Sequence, residues 1–260
     1  MTNEQEFDQK GRKEVEAMAS HARLNHVTRD WISLAQVNNY SYHFRWLGRP
    51  IIQYPQDIVA MQELIWRVQP DLIIETGVAR GGSLIFSASM LALLDASAAR
   101  PAGNSQVATA LKRRVVGIDI DIRPHNRAAI ESHPLSEYVT LIQGSSTAYD
   151  VIDQVAAITR NAHTVLVCLD SNHTHEHVLS ELQAYAPMTT VGSYCVVFDT
   201  IVEDLPPEAI GNRPWSRGNS PKTAVHEYLQ SHPEFEIDKH IDHKLLISVA
   251  PDGYLRRICE

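Results

Sequence analysis

Short apolar runs rich in β-branched residues alternate along this chain of 260 residues with segments whose apolar residues recur at helical spacing. The runs predict strands at residues 72–75, 115–119, 138–143, 164–170 and 193–199. The segments predict helices at residues 57–68, 83–94, after Pro124, and at 148–159, 177–186 and 222–230. Strands and helices alternate in this way where a parallel sheet is covered on both faces. We therefore expect an α/β fold with a doubly wound, mostly parallel sheet that binds ligands at the carboxyl ends of its strands.

The pattern changes at both ends of the predicted sheet. Residues 1–50 are rich in aromatic side chains near VNNYSYHFRWLGRP, and we expect a helical and aromatic extension that packs as a cap or as an oligomer contact. Residues 51–260 then form the main domain. Within it, residues 200–220 are rich in Pro, Gly and Asn and are long for a simple connection, which predicts a lid loop. The later runs FEID (235–238) and LLISVA (245–250) predict a terminal hairpin.

The stretch DLIIETGVARGGS (71–83) leads from a strand into an acid, a threonine and three glycines. It lacks the Gly-Lys-Ser/Thr ending of a phosphate loop, and its glycines do not fit the dinucleotide pattern G-x-G-x-x-G. Acid-x-Gly-x-x-x-Gly is instead typical of the turn where S-adenosylmethionine-dependent methyltransferases bind the amino-acid end of their cofactor. The candidate cofactor-binding residues are Glu75, Thr76, Gly77, Gly81 and Ser83. The alternative is a helix-start turn whose glycines only permit tight packing.

An acid at the end of the next strand would bind the two ribose hydroxyls of such a cofactor. Asp119 in VVGIDID meets this requirement, and Asp121 is a rival on the same turn. Asp119 lies farther downstream than the usual distance of about 20 residues, and the small-residue stretch DASAARPAGNSQ (95–106) accounts for the excess. After the third strand, QGSS (143–146) places Ser145 near the expected adenine.

The segment DSNHTHEH (170–177) puts one acid and three histidines directly after the fourth strand. His173 and His177 are four residues apart, so on a helix they would face the same way and could bind zinc, as in a metallohydrolase. Glu176 does not directly follow the first histidine, however, and no third ligand is obvious. For His175 and His177 we prefer a role at the start of a helix.

Charge and composition narrow the range of partners. The formal net charge of −8 argues against nucleic acid, whose binding needs clustered Lys and Arg. No apolar stretch approaches the about 18–20 residues that span a bilayer, and MTNEQEFDQKGRK does not resemble a signal or transit peptide. The odd number of cysteines argues against a disulfide framework, and Cys168 and Cys195 lie in apolar runs typical of buried thiols. We expect a cytoplasmic protein without a membrane or nucleic-acid partner.

Four segments together resemble a known family: LIIETGVARGGSLIFSASML, VVGIDIDIRPHN, LDSNHTHEHV, and GNSPKTAVHEYL with LLISVAPDGYLRR. They are similar to the cephalosporin hydroxylase family, together with the rhamnosyl O-methyltransferases, over most of residues 45–257. Despite the family's name, its cephamycin-pathway member acts as a methyltransferase, and the family is similar to metal-dependent macrolide-sugar O-methyltransferases. The resemblance implies a class I, Rossmann-like fold that binds S-adenosylmethionine. It also implies that the acid-x-x-His motif supplies a magnesium ligand, Asp170, and a general base, His173.

The chemistry of methyl transfer to oxygen agrees with these roles. A divalent ion lowers the pKa of a bound hydroxyl, and histidine can accept the proton near pH 7. Hard cations prefer oxygen ligands, so Asp199 at the end of the fifth strand is the expected second metal ligand. Asp170 also counts among the expected cofactor-binding residues. In the resembling families the residue before the second aspartate is commonly a glutamate ligand, whereas this chain has Phe198.

A phenylalanine cannot bind a metal, so this difference leaves several alternatives. Asp170 and Asp199 could hold the ion with water. Glu203 or Asp204 could bend back to replace the missing ligand, or metal dependence could be lost. We expect a weakened magnesium site; the alternative is that the two aspartates only cap strand ends.

The expected function is S-adenosylmethionine-dependent methylation of a hydroxyl on a sugar or secondary metabolite. Its partner would be a small-molecule acceptor, over which Arg213 and Trp215 of the predicted lid would close. Two alternatives stay open: a zinc-dependent hydrolase that uses DSNHTHEH, and a non-catalytic protein that binds the cofactor only. The aromatic extension is also compatible with a homo-oligomer.

Overall fold

The computed structural model describes residues 2–98 and 113–260. Its helices are α1 (Asn3–Ala19), α2 (Ala22–Val37), α3 (Pro55–Val68), α4 (Gly82–Ala98), α5 (Pro124–Glu131), α6 (Tyr149–Thr159), α7 (His175–Tyr185), α8 (Pro207–Ile210), α9 (Pro221–Tyr228) and α10 (Lys239–Leu245). Its strands are β1 (Phe44–Trp46), β2 (Arg49–Ile51), β3 (Leu72–Thr76), β4 (Arg114–Asp119), β5 (Val139–Gln143), β6 (Val165–Leu169), β7 (Tyr194–Val197), β8 (Phe235–Ile237) and β9 (Tyr254–Arg257).

The main sheet has the strand order β5-β4-β3-β6-β7-β9-β8. The first five of these strands are parallel, and β9 runs antiparallel to both β7 and β8. Every residue of β3 and of β6 is buried, without polar alternation, because helices cover both faces. This confirms the doubly wound, mostly parallel fold predicted from the sequence.

Each face of the sheet carries its own apolar core. One core joins α3 and α4 to residues of the N-terminal segment, and the other joins α6, α7 and α9. Helix α4 is apolar on nearly all sides, with ten buried residues, because the N-terminal segment covers the side that faces away from the sheet. The predicted small-residue stretch 95–106 begins within this helix, and its part from residue 99 lies outside the described residues.

Two glycines allow the turn between β3 and α4 to lie against other backbone. Gly77 has φ +89°, and a Cβ there would lie 2.0 Å from the carbonyl oxygen of Asp170. A Cβ at Gly82 would lie 2.1 Å from the carbonyl oxygen of Pro50. These contacts bring the ends of β3 and β6 and the hairpin β1–β2 to one place, where only glycine fits.

The N-terminal segment packs on the main core through aromatic rings. Tyr40 makes edge contacts with Trp31, Phe44 and Tyr54 at centroid distances of 5.0, 5.1 and 5.4 Å. Such edge-to-face contacts stabilise beyond the area they bury. The extension thus covers the chain's own core. The division into domains at residue 50 stays a prediction; strand β2 spans that position, from Arg49 to Ile51.

The predicted terminal hairpin is wrong in its second strand. FEID contains β8, but LLISVA forms the end of α10 and a loop, and the strand that pairs with β8 is β9. The cause is a distant side chain. Asp57 accepts hydrogen bonds from the backbone N–H of Val249 at 2.9 Å and from the hydroxyl of Ser248 at 2.6 Å. A backbone N–H that is already hydrogen-bonded to a side chain is not available to pair with a neighbouring strand.

Within residues 2–98 and 113–260, no helix has the length and apolar character needed to cross a membrane. Cys168 and Cys195 are buried free thiols, as predicted, and Cys259 is free and exposed.

Candidate active site

Two carboxylates, those of Glu75 and Asp119, accept hydrogen bonds from the turn after β3 and the start of α4. Glu75 is buried and accepts a hydrogen bond from the hydroxyl of Ser83, and burial raises the pKa of Glu75 to about 7. Asp119 accepts hydrogen bonds from the backbone N–H groups of Val78 at 2.9 Å and Ala79 at 3.2 Å. The acid predicted to bind ribose therefore also fixes the glycine turn.

Three side chains meet beyond the carboxyl ends of β6 and β7. Asp170, His173 and Asp199 each offer one ligand atom, and these atoms all lie within 4.8 Å of one another. Nε2 of His173 is 3.1 Å from Oδ2 of Asp199. Burial raises the pKa of Asp170 well above its usual range, and the nearby carboxylates of Asp199 and Glu75 raise it further. A site that concentrates negative charge in this way is suited to a cation.

A cavity of 380 Å³ joins the glycine turn to this cluster. Of the residues predicted for the site, it is lined by Gly77, Ser83, Asp170, His173 and Asp199. The structure therefore brings the predicted methyl-donor turn and the predicted metal and base residues to one cavity.

The other predicted site residues lie around this cavity rather than in its wall. Thr76 is fully buried, and its side chain and carbonyl both accept hydrogen bonds from the N–H of Asp170. Gly81 has φ +78° and closes the turn by donating to the carbonyl of Val78 at 2.7 Å. Ser145 contacts Thr147 at 3.0 Å beyond β5. Thr76 and Gly81 shape the turn that carries lining groups, whereas the turn of Ser145 contributes no residue to the wall of the cavity.

The alternative of a zinc site at His173 and His177 does not fit the structure. Helix α7 begins at His175, so His173 precedes the helix and does not share a helical face with His177. Nε2 of His177 instead lies within 3.4 Å of the side chains of Ser146, Ser171 and Glu181. In the described ranges, the group suited to a metal is Asp170, His173 and Asp199.

His175 lies at the start of a helix, as predicted. It is the first residue of α7, and its ring contacts Thr223 at 2.8 Å and Glu227 at 3.1 Å. These contacts tie α7 to α9, so this histidine has a packing role away from the cavity.

Phe198 packs in the core beneath the cluster, where it is 6% exposed. The two acids that could replace the missing ligand are used elsewhere. Glu203 accepts hydrogen bonds from the N–H of Gly218 at 2.9 Å and from the hydroxyl of Ser220 at 2.7 Å. Asp204 pairs with Lys222. Neither acid bends back to the site.

The segment after β7 covers the cluster. It forms a 3₁₀ turn (Thr200–Asp204), helix α8 and a loop that reaches α9. The ring of Trp215 meets the ring of His173 edge-on, with centroids 4.6 Å apart and an interplanar angle of 90°. The guanidinium of Arg213 lies 5.5 Å from the centroid of Trp215. Both predicted lid residues line the cavity.

Gln53 belongs to the site but is not among the residues predicted for it. Its Nε2 donates to Oδ2 of Asp170 at 3.2 Å, while its buried Oε1 has no hydrogen-bond partner among residues 2–98 and 113–260. Burying an unpaired amide oxygen costs free energy, so this atom is suited to a bound donor. In the sequence, Gln53 appears only as a polar residue in the apolar segment IIQYP (51–55). Nothing in the local pattern indicates that this segment contacts Asp170 at the end of β6.

The chain is similar to curated enzymes and to solved structures. Rhamnosyl O-methyltransferase of Mycobacterium leprae is 25% identical over 217 residues, which cover 82% of this chain and 82% of that protein. The enzyme of the same name from Mycobacterium bovis is 25% identical over 205 residues, covering 77% and 73%. A solved structure of CmcI with Mg and SAM shares the fold, with a TM-score of 0.57 and 20% identity over 84% of this chain and 78% of that one.

The match to a family is broader than any of these pairs. Residues 38–258 match the family described as Rhamnosyl O-methyltransferase/CmcI, so the match includes the glycine turn, the acid-x-x-His segment and the last strands of the sheet. The chain belongs to the Rhamnosyl O-methyltransferase/CmcI family.

Proposed function

We propose that this protein transfers a methyl group from S-adenosylmethionine to a hydroxyl of a sugar or secondary metabolite, with His173 as general base and magnesium as the metal. The observation that carries the proposal is the cavity shared by the glycine turn and the cluster of Asp170, His173 and Asp199. The names of the family's relatives support transfer to a sugar hydroxyl.

The cofactor would lie along the turn after β3. The backbone at Gly77 and the hydroxyl of Ser83 line the cavity there, and Glu75 lies directly beneath. Asp119 already accepts from Val78 and Ala79 through Oδ2, while its Oδ1 accepts only from Asp121 at 3.0 Å. A carboxylate oxygen can accept two hydrogen bonds, so Oδ1 retains capacity for a ribose hydroxyl.

The donor set fits a divalent cation. Asp170 and Asp199 would hold a magnesium ion, and the unpaired Oε1 of Gln53 would accept from a water molecule near it. When bound, the ion would lower the pKa of the acceptor hydroxyl and fix its position. Two carboxylates with Phe198 in the third place supply less charge than three, so we expect weak affinity for magnesium.

His173 would take the proton of the acceptor hydroxyl. Its Nε2 faces the carboxylate of Asp199, which stabilises the imidazolium that forms. The methyl group leaves the sulfonium sulfur for the acceptor oxygen as the proton moves to His173, so charge and atoms balance. Trp215, edge-on to the imidazole, would exclude water when residues 200–220 close over the acceptor as a lid.

We place this reaction in the cytoplasm, which the free thiols of Cys168 and Cys195 support because a reducing compartment keeps such thiols free. The partner is a small-molecule hydroxyl acceptor. The homo-oligomer expected from the aromatic extension stays a prediction.

The test is formation of S-adenosylhomocysteine from S-adenosylmethionine with a panel of sugar and natural-product acceptors at high magnesium. Turnover that needs an acceptor would support the proposal. Calorimetric binding of S-adenosylmethionine without turnover on any acceptor would favour the non-catalytic alternative.

A further inference from the structure

An open groove of 1070 Å³ lies on the outer side of the predicted lid. Helix α2 forms one wall, and residues 201–217 form the other. Ile32, Ile201 and Ile210 give it an apolar floor. The groove is therefore large enough for a ligand with both apolar and polar parts.

The charge of this groove is opposite to that of the whole protein. Arg29, Arg213 and Arg217 line it, in a chain whose formal net charge is −8. Among the described residues, no carboxylate lies within ion-pair distance of these three guanidinium groups. Arg213 instead contacts the hydroxyl of Tyr42 at 3.4 Å and the ring of Trp215.

The two acids of the groove compensate for these cations only in part. Glu203 uses one carboxylate oxygen for the N–H of Gly218 and the hydroxyl of Ser220. Asp204 is paired with Lys222, whose side chain is mostly buried. Because the donors to Glu203 are neutral, its carboxylate stays charged and offsets one of the three arginines. The groove keeps an excess of positive charge that can attract an anion, and guanidinium groups bind carboxylate and phosphate oxygens through paired hydrogen bonds.

The groove continues into the candidate active site. Arg213 and Trp215 line both the groove and the cavity of His173 and Asp199. A smaller space, lined by Ile201, Ile210 and Asp199 among others, lies between the two. A ligand held in the groove can therefore extend one end past Trp215 toward the base.

We propose that this groove binds the methyl acceptor through an oxyanion, a phosphate or a carboxylate, held by Arg29, Arg213 and Arg217. The proposal rests on the proposed function, because it takes the cavity beyond Trp215 to be the place of methyl transfer. It adds the class of acceptor: an acidic molecule with an apolar part, rather than a neutral sugar.

The test is calorimetric titration of the full chain, in metal-free buffer with S-adenosylhomocysteine present, with inorganic pyrophosphate and separately with citrate. We expect binding that weakens at least about tenfold in the double variant Arg29→Gln/Arg217→Gln, because each change removes a charge-assisted hydrogen-bond donor. Tighter binding of pyrophosphate assigns a phosphate to the acceptor, and tighter binding of citrate assigns a carboxylate.

The matched control is Arg23→Gln/Arg160→Gln. It makes the same change in net charge at two exposed arginines, one on α2 and one after α6, neither of which lines the groove. Equal weakening in both double variants, or no binding of either anion to the original protein, would overturn the inference. S-adenosylhomocysteine binding should be the same in all three proteins; its absence would count against the proposed function, while the anion titrations would still report on the groove.

Discussion

Nε2 of His173 lies 3.1 Å from Oδ2 of Asp199, and both side chains are partly buried. The ring of Trp215 also contacts the imidazole edge-on, with centroids 4.6 Å apart. A histidine held in this way has one orientation in which to take a proton.

His173→Ala should lower the rate of methyl transfer by about 10²–10⁴-fold, the usual contribution of a general base. The turn after β3 does not involve His173, so cofactor affinity should stay unchanged in calorimetry. His240→Ala is the control, because His240 is exposed on α10 and lines none of the site. Full activity of His173→Ala would remove the assignment.

Asp119→Ala should weaken binding of S-adenosylhomocysteine by about 1–3 kcal/mol, measured by calorimetry. The variant would lose a hydrogen bond to ribose and also the bonds that hold the N–H groups of Val78 and Ala79. Asp121→Ala is the matched comparison, since this exposed acid only pairs with Arg123 at 3.9 Å. A larger effect at Asp121 would transfer the ribose role to it, and binding of NAD in place of the cofactor would contradict both.

Phe198→Glu should tighten magnesium binding, because it adds a carboxylate beside Asp170 and Asp199. The same variant should be less stable than the original protein without magnesium. Its new carboxylate would replace a ring that is 6% exposed, close to Glu75 and Asp170. Thermal unfolding and magnesium titration of the two proteins measure both effects.

The companion variant for the metal is Asp199→Asn, which should bind magnesium more weakly than the original protein. Activity would be followed against magnesium concentration for all three proteins. Full activity of the original protein in excess chelator, unchanged in Asp199→Asn, would show that no metal takes part and that His173 acts alone.

Asp57 should make the protein less stable as the pH rises from about 4 to 6. Burial raises the pKa of this carboxyl from 3.8 to about 6, against the opposing hydrogen bonds from Ser248, Val249 and Tyr254. Over this range the folded state holds a proton that the unfolded chain has lost, so the free energy of unfolding falls as the pH rises. A pKa shift of this order lowers the free energy of unfolding by about 3 kcal/mol across the range.

Urea denaturation of the original protein and Asp57→Asn at pH 4, 5, 6 and 7 measures this contribution. The asparagine cannot ionise, so the difference in stability between the two proteins should change across the range and level off above about pH 6. A difference that stays constant from pH 4 to 7 would show that Asp57 does not titrate there.

The local pattern of apolar residues was sufficient to predict the parallel part of the sheet. The apolar runs of β3 and β6 are buried on both faces, and such runs are visible in sequence because burial removes polar alternation. The second strand of the terminal hairpin was not predictable in the same way. LLISVA has a strand's composition, but the N–H of Val249 and the hydroxyl of Ser248 donate to Asp57, more than 180 residues earlier.

In the candidate site too, some residues could be predicted from the local sequence, while others depend on contacts between distant parts of the chain. Asp170 directly follows β6 and Asp199 lies two residues after the end of β7, so the rule that ligands bind at the carboxyl ends of strands locates them. Gln53 follows the hairpin β1–β2 and reaches Asp170 because Gly82 lets that hairpin lie against α4. The fixed places of Glu203 and Asp204 likewise depend on Ser220 and Lys222, which no spacing rule connects to them.

Strand β9 also sets the order in which the protein can be completed during synthesis. It pairs with β7 on one side and β8 on the other, although β8 leaves the ribosome first. A nascent chain that ends before Tyr254 has the edge of β7 open next to Asp199, and β8 has no neighbour in the sheet. Contacts between distant parts of a chain form slowly, so we expect the edge of β7 beside the cluster of Asp170, His173 and Asp199 to stay unpaired until residues 254–257 can join the sheet.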